Sequence, residues 1–230
     1  MSADSQLSAV TDFFLRQNGF ATQAADTLRR ALDEVIDGMR TGRWSVNNLQ
    51  KTEKTYIGTK VEILFKFDFE LSDGHVLDTH IQGSEVDIKF TVLQNWMIPH
   101  EAQNQLCLLV RVDDDRSRFW IGTIRATPAV LTGGENKDGK LTLSAEGKKS
   151  IRWIVEEGHL PPNFLAHLDD ATRTKILSHP SGQLRMNELF RLVQGKIIPR
   201  VAMETVARQK DPMKRMRDAR KALLAEGILV

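Results

Sequence analysis

The sequence predicts a mixed domain of the α+β or α/β class, a β-sheet flanked by helices, followed by a small helical domain. Three observations carry this expectation. Residues 21–40 repeat apolar side chains at helical spacing, with Ala25, Leu28, Leu32, Val35, Ile36 and Met39 on one stripe. Residues 76–90, VLDTHIQGSEVDIKF, alternate with the period of two that marks strands. Past Pro161-Pro162 the character changes. Residues 171–230 hold 13 Lys+Arg and 5 Asp+Glu, a net +8, whereas residues 1–170 hold 19 basic and 25 acidic side chains, a net −6. The expected division is a catalytic-type domain over 1–165 and a helical domain over 171–230.

Residues 8–17 and 21–40 read as helices, and Gly42 helps end the second. Its apolar stripe suits a core rather than a cofactor. Trp44–Glu53 reads as a polar linker. Residues 58–67 read as a helix, although Phe65, Phe67 and Phe69 alternate as they would in a strand. Ser72-Asp73-Gly74 is a turn signal. After the 76–90 segment and Pro99, Cys107–Val112 and Phe119–Ala126 read as strands. The loop between them, Asp113-Asp114-Asp115-Arg116, reads as a solvated turn, because the remaining positions of a calcium loop are missing. Gly133-Gly134-Glu135-Asn136 is a loop without the GK[ST] of a phosphate cradle. Ser144–Glu157 reads as a helix with Ile151, Ile154 and Val155 on one side.

The C-terminal section reads as three helices, Met186–Gln194, Pro199–Arg208 and Pro212–Glu226, two of them opened by a proline. Gly227 closes the last, and Ile228-Leu229-Val230 is expected to begin a strand. Three short helices leading into a strand are the opening of a winged helix. The third helix carries Lys214, Arg215, Arg217, Arg220 and Lys221, which suits phosphate contact, although a 3.6-residue period cannot aim all five one way. The basic section points to a polyanion partner; the plain alternative is a solvated helical face.

Composition excludes several classes. With 41% hydrophobic and 27% charged residues, the chain is an ordinary soluble globular protein. A single cysteine, Cys107, lies in an apolar run and is expected to be buried and inert; it excludes an intramolecular disulfide and a cysteine-based zinc site. No apolar run is long enough to span a membrane, and MSADSQLS has no signal-peptide core, so the cytoplasm is the expected location.

The chemistry is concentrated in residues 76–90. If Gln82-Gly83 is a two-residue turn, residue 81 faces 84 and Asp78 lands directly opposite Asp87. One face then carries Asp78, His80, Glu85, Asp87 and Lys89, and the other Leu77, Ile81, Val86, Ile88 and Phe90. The apolar face is explained by a core. A charged strand face is usually just solvated, and on that reading His80 is a surface residue and Glu85 a solvated neighbour or structural pair of His80. Two carboxylates directly opposed across a strand pair repel, however. A divalent cation between them removes the repulsion, and hard oxygen ligands suit Mg2+. Lys89 points to the same side as Asp87. Asp78 with Asp87-Ile88-Lys89 resembles the PD-(D/E)xK nuclease arrangement in minimal form, a pattern that taken alone recurs by chance. Glu62, sixteen residues before Asp78 on the candidate helix, sharpens it.

With these residues in place, the chain resembles the NaeI family of restriction endonucleases. The shared features are Lys51-Thr52-Glu53-Lys54-Thr55, Gly58-Thr59-x-Val61-Glu62-Ile63, Asp73-Gly74-x-Val76-Leu77-Asp78 and Glu85-Val86-Asp87-x-Lys89. The spacing Glu–x15–Asp–x8–Asp–x–Lys matches that family's catalytic set. The resemblance covers roughly residues 25–165, and more weakly 171–230. It implies a restriction-endonuclease-like core and Mg2+-dependent hydrolysis of duplex DNA at a palindromic site, within a restriction-modification system and by a homodimer. Asp78, Asp87 and the Ile88 carbonyl would hold the metal. Lys89 would orient or help deprotonate the attacking water, and Glu62 would orient metal-bound water or complete a second metal site. Family members carry a full winged-helix domain; here the chain stops where the wing should begin. The second domain is therefore expected to be truncated, which puts the family's need for a second DNA copy in doubt. The mismatch-repair nuclease MutH shares the logic of the site with tighter spacing, so a nicking enzyme is the first alternative and a non-catalytic DNA-binding regulator the second. For base reading, Asn95–Asn104 and Leu131–Lys140 are the candidate regions.

Overall fold

A computed structural model describes residues 4–134, 136–209 and 211–230. Glu135, in the loop expected at 133–136, lies outside the described residues, as do the first three residues of the segment read for a leader. The chain folds into two compact units. One joins the described residues up to Ala31 with Lys54–Pro161; the other joins Leu32–Glu53 with Pro162–Val230. The second unit thus takes in a stretch from early in the chain as well as its C-terminal section.

Helix α1 (Ser5–Leu15) begins at Asp4, whose side chain accepts the Leu7 N–H at 3.0 Å and so satisfies one of the open amides of the first turn. Helix α2 (Phe20–Ile36) starts in the first unit and ends in the second, where α3 (Gly38–Thr41) follows a left-handed Asp37. Helix α4 (Lys51–Asp68) is longer than expected. Only a 3-10 turn at Val46–Asn48, capped by Ser45, separates it from α3, so much of the expected linker is structured. Ile57, Val61 and Phe65 recur every four residues of α4 and are fully buried. Phe65 and Phe69 join Phe14 and Phe20 in an aromatic cluster with centroids about 5 Å apart. Phe67 points the other way and is 78% exposed, so the phenylalanine alternation belongs to a helix.

The strands of the first unit are β1 (Ser72–Asp73), β2 (Thr79–Ile81), β3 (Ser84–Thr91), β4 (Met97–Ile98), β5 (Leu106–Asp113), β6 (Arg118–Arg125), β7 (Leu141–Thr142) and β8 (Arg152–His159). Six form a sheet in the order β1-β2-β3-β5-β6-β8, antiparallel except for the parallel pair β3–β5; β4 and β7 form a separate two-stranded ribbon. The architecture is a mixed α+β unit with a mostly antiparallel sheet.

The register shows what covers each sheet face. Val86, Ile88 and Phe90 share a face with Leu106, Leu108 and Val110 and with Thr123 and Ile121. Helix α1 lies on this face, where the Thr11 and Thr123 hydroxyls meet at 2.6 Å, and α4 approaches it at Phe90. Asp87 and Lys89 share the opposite face with Cys107 and Leu109, which pack under Trp96, Ile98, Leu131, Leu143 and Ile151 from the ribbon region.

Two local expectations are corrected. Ser144–Glu157 is not one helix: α5 (Ala145–Lys149) is a single short turn, and the chain then enters β8 at the sheet edge. The spacing of Ile151, Ile154 and Val155 mimics a helical stripe, but Trp153-Ile154-Val155 is a run of strand formers. It pairs with β6 across a bulge, next to Gly122, where a Cβ would stand 2.5 Å from Ile151 Cγ2. The Asp113–Arg116 turn is not simply solvated either, since Asp114 is buried and pairs with Arg29 of α2 at 2.5 Å.

In the second unit, α6 (Asp170–Leu177), α7 (Gly182–Leu192), α8 (Arg200–Ala207) and α9 (Met213–Leu223) follow the break. Their core gathers Leu165, Ile176, Met186, Leu189, Ala202 and Val206. Helix α6, capped by Asp169, was not expected. No strand forms at 228–230, where one was expected. Among the described residues no helix is long and apolar enough to cross a membrane.

Candidate active site

The turn between β2 and β3 sets the site. Gln82 (φ 49°) and Gly83 (φ 78°) are both left-handed, as a type I′ hairpin requires. The pairs are Thr79–Val86, His80–Glu85 and Ile81–Ser84, which is the register expected from the sequence. In such a hairpin the pair next to the turn exchanges both backbone hydrogen bonds, and so does every second pair beyond it. Ile88 would be due to bond Leu77 next, but β2 begins only at Thr79. The Asp78 Oδ2 atom accepts the Ile88 N–H instead, at 2.7 Å. The Ile88 carbonyl points to this same edge, because a strand residue directs both backbone groups one way.

Asp87 sits on the neighbouring position and is only 3% exposed, which a merely solvated face would not make it. The reason is topological: β3 is an interior strand, and its neighbour Cys107 roofs this face with an apolar cluster. Burial, then the adjacent Asp78, push the Asp87 carboxyl up to about 7, against the pull of Lys89. Lys89 Nζ lies 2.8 Å from Asp87 Oδ2. Burial disfavours its charge, but the Asp87 carboxylate outweighs that, and the ammonium is held above its ordinary value. Asp87 Oδ2 is buried and accepts no well-directed hydrogen bond, Lys89 acting on it as a counter-charge. A buried, incompletely satisfied carboxylate oxygen beside a second carboxylate is what a hard divalent cation would satisfy, so these residues fit one. Cys107 is buried as expected, its thiol pushed up by burial and then by Asp87.

Glu62 lies on α4, and its carboxylate meets Lys66 Nζ at 3.1 Å. Among the described residues no three or more His, Cys, Asp or Glu side chains gather tightly enough to hold a metal. Glu62 therefore does not join Asp78 and Asp87 in one ligand cluster. The link is Lys66, which also pairs with Asp73 at 3.2 Å and donates to the Asp78 carbonyl at 3.3 Å. Lys66 went unnoticed in the sequence; its one signal there is the i,i+4 spacing from Glu62. Glu85 does not spend its carboxylate on His80. It accepts the N–H groups of His75 (2.9 Å), Val76 (3.2 Å) and Leu77 (2.9 Å), and the His75 and Leu77 bonds above all hold its pKa down at about 2.

A family model described as restriction endonuclease NaeI matches residues 8–230. This chain belongs to the NaeI restriction endonuclease family. A curated relative, the type II restriction enzyme NaeI of Lentzea aerocolonigenes, is 40% identical over 219 residues, which cover 90% of this chain and 69% of that protein. The NaeI-family match runs through both units, so it takes in α9 as well as the hairpin. On α9, Lys214, Arg217, Arg220 and Lys221 are exposed, while Arg215 is half-buried with Nε 3.2 Å from Gln209 Oε1. Arg220 donates to the Val230 carbonyl at 2.6 Å. Lys214, Arg217 and Lys221 share one face, opposite the buried Ala219 and Leu223. In this family member the two stretches singled out for base reading meet. Asn136 Nδ2 stands 3.8 Å from Met97 Sδ, and just past the second stretch Met97 pairs with Thr142 and Ile98 with Leu141.

Proposed function

We infer that the chain is a site-specific DNA endonuclease of a restriction-modification system, hydrolysing phosphodiesters of duplex DNA. The family supports the activity, and enzymes of this class generally depend on a divalent metal. The observation that carries the site assignment is the Asp78–Asp87 pair, with the Ile88 amide hydrogen-bonded to the first acid and Lys89 ion-paired with the second. On this reading Mg2+ is held by Asp78, Asp87 and the Ile88 carbonyl, and when bound it supplies Lewis-acid polarisation of the phosphate and a more acidic water.

The protein's own groups do the rest. Asp87, pushed up to about 7 by burial and by Asp78, would have to be ionised to hold the cation. Lys89, held cationic by Asp87, faces the charge that builds on the phosphate as water adds to phosphorus and the P–O bond to the leaving oxygen breaks. Glu62, tethered through Lys66, orients water rather than joining the carboxylate pair. The basic face of α9 holds DNA phosphates, in a helical unit that we propose serves as a winged-helix-like DNA-binding domain. Two copies of the chain on a palindromic site present one such centre to each strand.

The test is incubation of a plasmid carrying many sequences with and without Mg2+, followed by end sequencing. Linear products with one recurrent end sequence are expected. Nicked circles alone would favour a nicking enzyme, and binding without cleavage a regulator.

A further inference from the structure

We propose that Glu85 is a positioning residue for the metal site: its carboxylate clamps the 75–77 turn and thereby aims Asp78. The inference rests on the reading of Asp78 as a metal ligand. Asp78 stands one residue before β2 begins, so the sheet ladder does not fix it. Besides the bond of its carboxylate to the Ile88 amide, a two-sided hold on its backbone segment fixes it. From one side Glu85, on the neighbouring strand, accepts three successive amides, with Oε1 on His75 and Oε2 on Val76 and Leu77. From the other side Lys66 holds Asp73 and the Asp78 carbonyl, the two ends of the same segment.

The segment is shaped for this clamp. At Gly74 a Cβ would run into the Leu77 carbonyl and stand 2.7 Å from Glu85 Oε2, so a side chain there and a seated Glu85 compete for one space. Only a carboxylate serves all three amides, because both its oxygens are acceptors; a glutamine amide turns one of them into a donor. Groups that orient metal ligands contribute about 10–100-fold in metal affinity or activity when removed.

The experiment titrates the full chain with Mn2+ alone, following the free ion by electron paramagnetic resonance. It compares wild type, Glu85→Gln, Gly74→Ala, the double variant and Asp78→Asn. Glu85→Gln and Gly74→Ala should each weaken Mn2+ about 10–100-fold. The double variant should bind no more weakly than the worse single, because both break one clamp. In Glu85→Gln the Val76 and Leu77 amides should exchange faster with solvent, and saturating Mn2+ should restore most of the single-turnover cleavage rate. Wild-type Mn2+ affinity in Glu85→Gln, with Asp78→Asn impaired, overturns the clamp and leaves the metal reading standing. Unchanged affinity in Asp78→Asn overturns the metal reading itself.

Discussion

The Asp78 carboxylate occupies the place of a main-chain acceptor, taking the Ile88 N–H at 2.7 Å where the β2–β3 ladder has run out. One hydrogen bond thus ties the first acid to the residue between the second acid and the lysine. The Asp78 side chain is placed to do this because β2 begins only at Thr79, within the register that sets Asp78 opposite Asp87.

Asp87→Ala should abolish cleavage by orders of magnitude while leaving DNA affinity within a few-fold of wild type. Loss of a metal ligand removes the chemistry, whereas affinity comes mainly from phosphate contacts elsewhere. EDTA should stop the wild type in the same way. Gel-shift and cleavage assays on one duplex check both halves, and wild-type cleavage by the variant would remove Asp87 from the site.

Asp87→Asn should make the metal-free protein more stable at pH 8. The folded pKa of Asp87, about 7, lies above its unfolded value of about 4, so its contribution is favourable at low pH and is lost as pH rises from about 4 through 7. Replacing the charge should raise the unfolding temperature at pH 8 by about 4–8 °C, on roughly 2 kcal/mol. At pH 4, where the carboxyl is neutral in the folded protein and largely so in the unfolded chain, the two proteins should melt nearly together. Thermal melts in EDTA at the two pH values measure this; an equal gap at both would mean the raised pKa is not the cause.

Asp4 is held at about 2 by its hydrogen bonds to Arg125, at 2.5 and 3.1 Å, with the Leu7 amide adding to the effect. A depressed folded pKa stabilises above the unfolded value of about 4 and is lost as pH falls towards 2. Asp4→Asn keeps a competent helix cap but loses the ion pair. It should cost about 1 kcal/mol at pH 7, after allowance for solvent screening, and progressively less in melts run between pH 4 and 2.

Lys214→Ala/Arg217→Ala/Lys221→Ala should flatten the log–log salt dependence of DNA binding by about 2–3 units, since each phosphate contact contributes about 0.9. Cognate and random duplexes should lose affinity alike. Titrations at several salt concentrations in Ca2+, which suppresses cleavage, provide the test. An unchanged slope would show α9 to be a solvated face.

A palindromic substrate requires two centres for two strands in one encounter. Light scattering on cognate DNA in Ca2+ should report two chains per duplex. One chain per duplex, with both strands still cut in a single binding event, would count against the dimer.

Much of this was legible before folding. The hairpin register follows from a two-residue turn that only left-handed residues can make, and from alternation over the next eight positions. Both are short-range, so Asp78, Asp87 and Lys89 could be set on one face by counting. The stripe of α2 and the strands around Cys107 and Ile121 were equally local. Ser144–Glu157 was misread because Ile151, Ile154 and Val155 fit a helical face as well as a strand; the partner strand β6, not the segment itself, settles the choice.

What the sequence by itself determined is the pairing of the two acids and the lysine, because turn chemistry and a period of two act between neighbours. The tertiary structure alone decided that Asp87 is buried, that Glu85 serves amides ten to eight residues behind it, and that Glu62 pairs with Lys66, which donates to the Asp78 carbonyl. The first and the last of those outcomes depend on β5 packing beside β3 and on α4 bringing Lys66 to the Asp78 carbonyl. Segments distant in sequence must meet before a carboxylate acquires its neighbours, and no local pattern encodes which ones they will be.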